Sequence, residues 1–363
     1  MPTLPLMTPT PHADASRKIT APGGYESWRF DASSDDGKLH LVAALHIGHP
    51  FDPRYLRRYA RYRRFPTKVA PPVPADYCAV TFALLEKGRP ALRFVTTARA
   101  TVDDFNAAED GSSVRLGASH LNRAAGADGV LRLHLRGTYH DRTIAVNLSF
   151  RPQIRANCDI DLAATSAPSA PAPAAPAAAA APAAPGVGEH RWIVVDPSCD
   201  VDGEISLFAA ESGGPPRVTA FAGVGCHDHR FGTRPMGELS DRWVSGRAVF
   251  DDRAIVFHQV NDRSFICHSV VKEPSSPPRV MNVGLKIAAS GMSRWGIGYP
   301  ETVELAGGGG ADGTDGGVRL MRPRVVWSSF STVTIAYDAV GDVDTGRALV
   351  QVVKPRRLRW APR

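Results

Sequence analysis

Residues 130–137 read VLRLHLRG. Leu131, Leu133 and Leu135 share one side, while Arg132, His134 and Arg136 share the other, a period of two that only a strand supplies. The pattern recurs, as alternation or as β-branched runs, at 38–47, 79–85, 90–98, 143–150, 190–195, 253–260, 264–271, 332–339 and 347–354, often with Gly, Pro or Asp between. Many short strands at short spacing predict sandwiches or barrels. The main helical candidate is PRYLRRYARYRR (53–64), behind Asp52 as N-cap with Pro53 at the first helical position. The expected fold class is all-β, in two sandwich- or barrel-like halves with few short helices.

The clearest boundary is ATSAPSAPAPAAPAAAAAPAAPGVG (164–188), where proline recurs too often for a helix and an extended linker is expected. It separates an N-terminal β domain (23–163) from a C-terminal one (189–363). Residues 1–22, rich in Pro, Thr and Ala, are expected to be disordered. GGGGADGTDGG (307–317) reads as a loop and lacks the lysine and following helix of a phosphate cradle.

Basic residues outnumber acidic ones by 43 to 36, with arginine concentrated in 54–64 and 354–363. These clusters read as a solvated basic face, or as a peripheral contact with an anionic membrane surface. No nucleic-acid motif accompanies them, so nucleic acid is not an expected partner. The five cysteines (Cys78, Cys158, Cys199, Cys226 and Cys267) are widely spaced, with no CxxC. That argues against a disulfide framework or a zinc finger and for a cytoplasmic setting, at most peripheral to the inner membrane. No secretory signal or membrane-spanning run is read in the chain. P-loop, GxGxxG, HExxH and GxSxG patterns are absent, so no cofactor is expected.

Chemistry concentrates in GVGCHDHRFG (223–232). On a strand, His227 and His229 face one side and Asp228 the other. A metal reading joins the two histidines to a third, His258 or His268. An acid reading takes Asp228, whose pKa rises if it is buried among aromatics. The plainest reading is a polar turn with satisfied hydrogen bonds.

GYESWRFDA (24–32), HRWIVVDPSCDVDGEI (190–205), GVGCHDHRFGTRPMGELSDRWVSGRA (223–248) and KPRRLRWAPR (354–363) occur in that order. Together they resemble the carotenoid 1,2-hydratase (hydroxyneurosporene synthase) family, across most of residues 23–363. The resemblance implies two lipocalin-like β halves around a hydrophobic pocket for an isoprenoid, in a superfamily that also holds cyclases and pericyclases. Asp228 matches the family's proton donor in a Gly-x-x-Asp motif. Acid-initiated protonation of a terminal alkene then gives a tertiary cation, which Trp192 or Trp243 faces before water adds. Trp28, Trp192, Trp243 and Arg230 are the implied substrate-binding residues, although Trp28 by itself reads more readily as core. His227, His229 and Arg230 stand where the hydratases carry small or amide residues. A cation there lowers the pKa of Asp228, whereas a histidine serves to position it or to deprotonate water. The alternatives are a cofactor-free cyclase or pericyclase, and a non-catalytic lipid- or pigment-binding protein.

Overall fold

The computed structural model describes residues 8–9, 12–86, 89–98, 104–124, 129–162, 189–209, 214–260, 263–270, 279–280, 285–305, 317–329, 331–341, 344–355 and 357. The Ala/Pro tract, nearly all of the glycine-rich loop, the end of the basic tail and the side chains of Cys267 and His268 lie outside the described residues. Strand makes up 63% of the structure and helix 8%, in curled antiparallel sheets. The fold is all-β and lipocalin-like.

Among the described residues, thirteen strands form the first sheet. Its main path runs Arg89–Ala98, Cys78–Glu86, Leu39–Ile47, Tyr25–Ser34, Arg217–Gly232, His190–Phe208, Arg142–Ile154, Leu131–Tyr139, Ser119–Arg123, Ser113–Leu116 and Phe105–Ala107. The alternation of VLRLHLRG matches its burial: the three leucines are buried, Arg132 and Arg136 exposed. Those leucines join Trp28, Phe30 and Phe150 in the core inside the curl. Gly137 lets the sheet bend back on itself, because a Cβ there would collide with the ring of Phe94 on the edge strand.

The second sheet has nine described strands, from Trp243–Val249 to Thr345–Val353, around its own core of Val244, Phe257, Ile335 and Val350. The sheets therefore divide the chain between 232 and 243, not at the Ala/Pro tract. His190–Phe208 and Arg217–Gly232 follow that tract, yet pair with Arg142–Ile154 and Tyr25–Ser34 in the first sheet. Composition locates the linker, whereas strand pairing decides the sheet.

The N-terminal expectation also changes. Thr8–Pro9 pairs with Cys158–Asp161, and Ala13, Asp14 and Ala15 are buried. Their backbone and carboxylate satisfy polar groups inside the first sheet, which compensates for the weak apolar content of the segment.

The helix Pro53–Arg64 forms as its sequence predicts, with Asp52 accepting from the Arg54 N–H at 2.7 Å. Tyr55, Leu56 and Tyr59 are its buried face. None of the helices among the described residues is long and apolar enough to cross a membrane.

The outer face of the first sheet meets the second. Tyr25, Trp192 and Val194 pack there with Trp243, Val256, Val260 and Val353. Among the described residues, polar ties cross the layer: Arg247 Nε donates to Asp31 Oδ1 (2.6 Å) and its Nη2 to the Val224 carbonyl (3.3 Å), Arg29 Nη2 to Gln351 Oε1 (2.8 Å) and Arg347 Nη1 to the Ser34 carbonyl (2.9 Å).

Candidate active site between the two sheets

The strand Arg217–Gly232 separates its polar residues by parity. His227 and His229 turn into the first sheet, and Asp228 and Arg230 turn toward the second. The bracketing glycines are places of close approach. A Cβ on Gly225 would lie 2.7 Å from the Asp31 carbonyl oxygen, and one on Gly232 would lie 2.6 Å from His190 Nδ1.

His227 stacks on Phe30 and His229 on Trp28. His227 directs Nδ1 at the Arg29 carbonyl (2.9 Å) and Nε2 at Asp14 Oδ1 (2.7 Å). His229 directs Nδ1 at the Ala13 carbonyl (2.7 Å) and Nε2 at Glu26 Oε1 (3.0 Å). Burial alone would lower the pKa of His227, but the Asp14 carboxylate outweighs it and the net direction is upward. Both His227 nitrogens face acceptors, so the imidazolium suits the site. Arg123 Nη2 completes the network, donating to Asp14 and to Asp196 at 2.9 Å each. All four histidine nitrogens are thus engaged, and His258 lies in the layer between the sheets, apart from the two histidines with which the metal reading joined it. No cluster of three or more His, Cys, Asp or Glu suited to a metal occurs among the described residues.

Asp228 lines a cavity between the sheets together with Arg29, Asp31, Arg230, Arg247 and Trp192. Its carboxylate is clamped by Arg230, with Nε at 2.8 Å from Oδ1 and Nη2 at 3.1 Å from Oδ2. Burial pushes this carboxyl up. Arg230 and then Arg29 overcome burial, and the pKa lies below the ordinary carboxylate value. Asp228 is therefore the conjugate base at rest. Arg29 is itself brought down to about 10, by burial first and by Arg230 second.

The cavity has a volume of about 40 Å³. That is room for two or three waters, and far below what an isoprenoid chain needs. A groove of about 400 Å³ adjoins it, walled by Val224, Val249, Phe250, Ala348 and the stems of Arg247 and Arg347. Leu349 and Arg247 line both spaces and form the partition. The space beside Asp228 is therefore small and charged, where the sequence suggested a deep apolar pocket, because five ionised side chains occupy the layer.

Of the other expected residues, Trp192 reaches the cavity, with the Arg230 guanidinium 5.5 Å from its ring centre. Trp243 lies behind it, 6.0 Å from the ring of His258. Trp28 belongs to the core of the first sheet, on the face opposite Asp228. Arg29, Asp31, Arg247, Thr334 and Gln351 were not anticipated. The first two had a signal, since they alternate with Trp28 and Phe30 and so point outward together; the last three come from the second sheet, where only tertiary pairing brings them near.

No protein-family model matches the chain. Over 251 residues it is 29% identical to hydroxyneurosporene dehydrogenase of Chlorobaculum tepidum, covering 68% of this chain and 59% of that protein. The relative's name is carotenoid-related, and both it and the lipocalin-like fold are consistent with the resemblance suggested by the motif order. The chain is thus similar to a carotenoid-related protein, in keeping with the resemblance read from its motifs. The chain spans 59% of the length of the curated relative it matches. Among solved structures, an AttH protein of Nitrosomonas europaea superposes with a TM-score of 0.55 over 94% of both chains at 14% identity. CghA with Sch210972 superposes with a TM-score of 0.50 over 96% of both chains at 10% identity. These two likenesses concern the fold.

Proposed function

We propose that this protein is a member of the carotenoid 1,2-hydratase family, a hydratase that adds water to a terminal carbon–carbon double bond of an acyclic isoprenoid, with Asp228 as the acid–base group. The observation that carries this reading is a buried carboxylate on a water-sized cavity beside a ligand-sized groove. The groove takes the end of the apolar chain, and movement of Leu349 and Arg247 admits it to Asp228. Burial is the largest single influence on Asp228, and Arg230 the strongest opposing one. Drawing Arg230 away therefore favours the protonated acid. The acid then protonates the alkene, the Trp192 ring faces the resulting tertiary cation, water adds, and the Asp228 carboxylate takes back a proton. One alkene and one water give one alcohol, and the acid is regenerated.

A second reading, a cofactor-free cyclase on the same scaffold, draws support from the resting charge of Asp228, which orients and polarises a substrate without donating a proton. Incubation with acyclic carotenes in deuterated water separates the two. Hydration places deuterium on carbon in a hydroxylated product, and Asp228→Asn abolishes it. An Asp228→Asn variant with full activity would overturn the assignment of the acid.

A further inference from the structure

The charged residues around the inner cavity do not balance. Among the described residues that line this cavity, three arginines (Arg29, Arg230 and Arg247) stand against two carboxylates (Asp31 and Asp228), and Arg29 donates to the neutral amide of Gln351. A surplus cation in a layer screened from water is costly unless a partner offsets it. The same layer holds an excess of donors. Arg230 Nη1, Trp192 Nε1, Trp243 Nε1 and Thr334 Oγ1 are buried with no hydrogen-bond partner among the described residues, and so are both nitrogens of His258. Unmet buried donors are costly, so such a concentration calls for an explanation.

These groups are neighbours. The Arg230 guanidinium lies 5.5 Å from the Trp192 ring, and the His258 ring is 5.1 Å from Trp192 and 6.0 Å from Trp243. Arg230, Trp192 and Thr334 line the 40 Å³ cavity, a space the size of one carboxylate group. The larger groove beside it has room for the rest of such a ligand, against Val224, Val249, Phe250 and Ala348, with Asp35 and Asp251 also on its wall.

We infer that the inter-sheet cavity is an oxyanion subsite, in which Arg230 Nη1, Trp192 Nε1 and Thr334 Oγ1 bind the carboxylate of an otherwise apolar ligand. The inference rests on the proposed reading for the location of the ligand, and it extends the ligand class to isoprenoid chains that carry an anionic oxygen group. A carboxylate there supplies the missing negative charge and competes with Asp228 for Arg230. The ligand itself would thus loosen the clamp that keeps Asp228 ionised. Trp243 and His258 stand behind the first donors and serve an oxygen group only through Trp192 or an intervening water.

Calorimetric titration of the full chain with geranic acid and with geraniol tests the subsite, since the two share one isoprenoid skeleton. Geranic acid is expected to bind about tenfold more tightly than geraniol, as one charge-assisted hydrogen bond implies. Thr334→Val removes a single donor at nearly constant volume, and Trp192→Phe removes the indole N–H while keeping a smaller aromatic ring. Either is expected to lower geranic acid affinity several-fold and leave geraniol unchanged. Equal affinities for the two ligands, no binding of geranic acid, or an undiminished preference in both variants overturns the inference. The readout is binding, so failure to hydrate acyclic carotenes leaves it intact, and loss of the acid preference leaves the hydration assay to stand alone.

Discussion

The neighbouring residues Asp228 and His227 meet opposite environments and titrate in opposite directions. Asp228 is buried yet held ionised by Arg230 and Arg29. Arg230→Gln removes the larger of these cations, so the Asp228 carboxyl is expected to titrate at higher pH than in the parent, which infrared titration of its carbonyl band measures. His227 is held protonated by Asp14 against the effect of burial. A group whose folded pKa is raised contributes stability in full below its ordinary value near 6.5, and loses it as pH rises through the folded value. The melting temperature is therefore expected to fall as pH rises above about 6.5, and His227→Gln to flatten that slope. Asp14, whose pKa burial raises but His227 and Arg123 bring far down, contributes stability above its ordinary value of 3.8 and loses it only in strong acid. Asp14→Ala leaves His227 and Arg123 without that carboxylate and is expected to cost about 3–5 kcal/mol in urea unfolding. The parity of HDH was legible in the sequence because strand geometry fixes it. The partners were not, since Asp14 and Arg230 act through contacts that no local pattern encodes.

The element that most changes the reading is the N-terminal segment. It has the composition of a disordered tail, yet it caps one end of the first sheet by polar contacts. The Asp14 carbonyl accepts from Trp28 Nε1 at 2.9 Å, the Ala13 carbonyl from His229, and Glu26 accepts from the Arg17 N–H and from Ser16 Oγ. Propensity arguments register apolar content and period, and a segment docked by hydrogen bonds carries neither. Deletion through Ser16 is expected to lower the melting temperature and to shift tryptophan emission to the red, as Trp28 loses its cover. The strand Arg217–Gly232 shows the converse. Its glycines have a legible purpose once the neighbours are known. Gly225→Ala drives a methyl group into the Asp31 carbonyl and the Val201 and Phe150 side chains. The backbone of a paired strand cannot yield, so a loss of about 1–3 kcal/mol is expected by denaturant titration.

Across the whole molecule, strand existence was readable from alternation, and sheet membership was not. Pairing between Tyr25–Ser34 and Arg217–Gly232 joins residues almost two hundred positions apart, and nothing in either stretch specifies the other. The consequence for function is that the space beside Asp228 lies between two sheets, not inside either. In the proposed hydration, the ligand enters through the groove lined by Thr345, Arg347, Leu349, Ser33 and Val224. Thr345 is exposed at that wall, so a larger side chain there meets no core packing. Thr345→Trp is expected to fill much of the groove, weaken binding of an acyclic isoprenoid by about tenfold, the equivalent of about 1.4 kcal/mol, and leave the melting temperature essentially unchanged. Binding that survives this substitution, measured by the same calorimetric titration, would mean that the chain reaches Asp228 by another route and that the groove is incidental to the reaction.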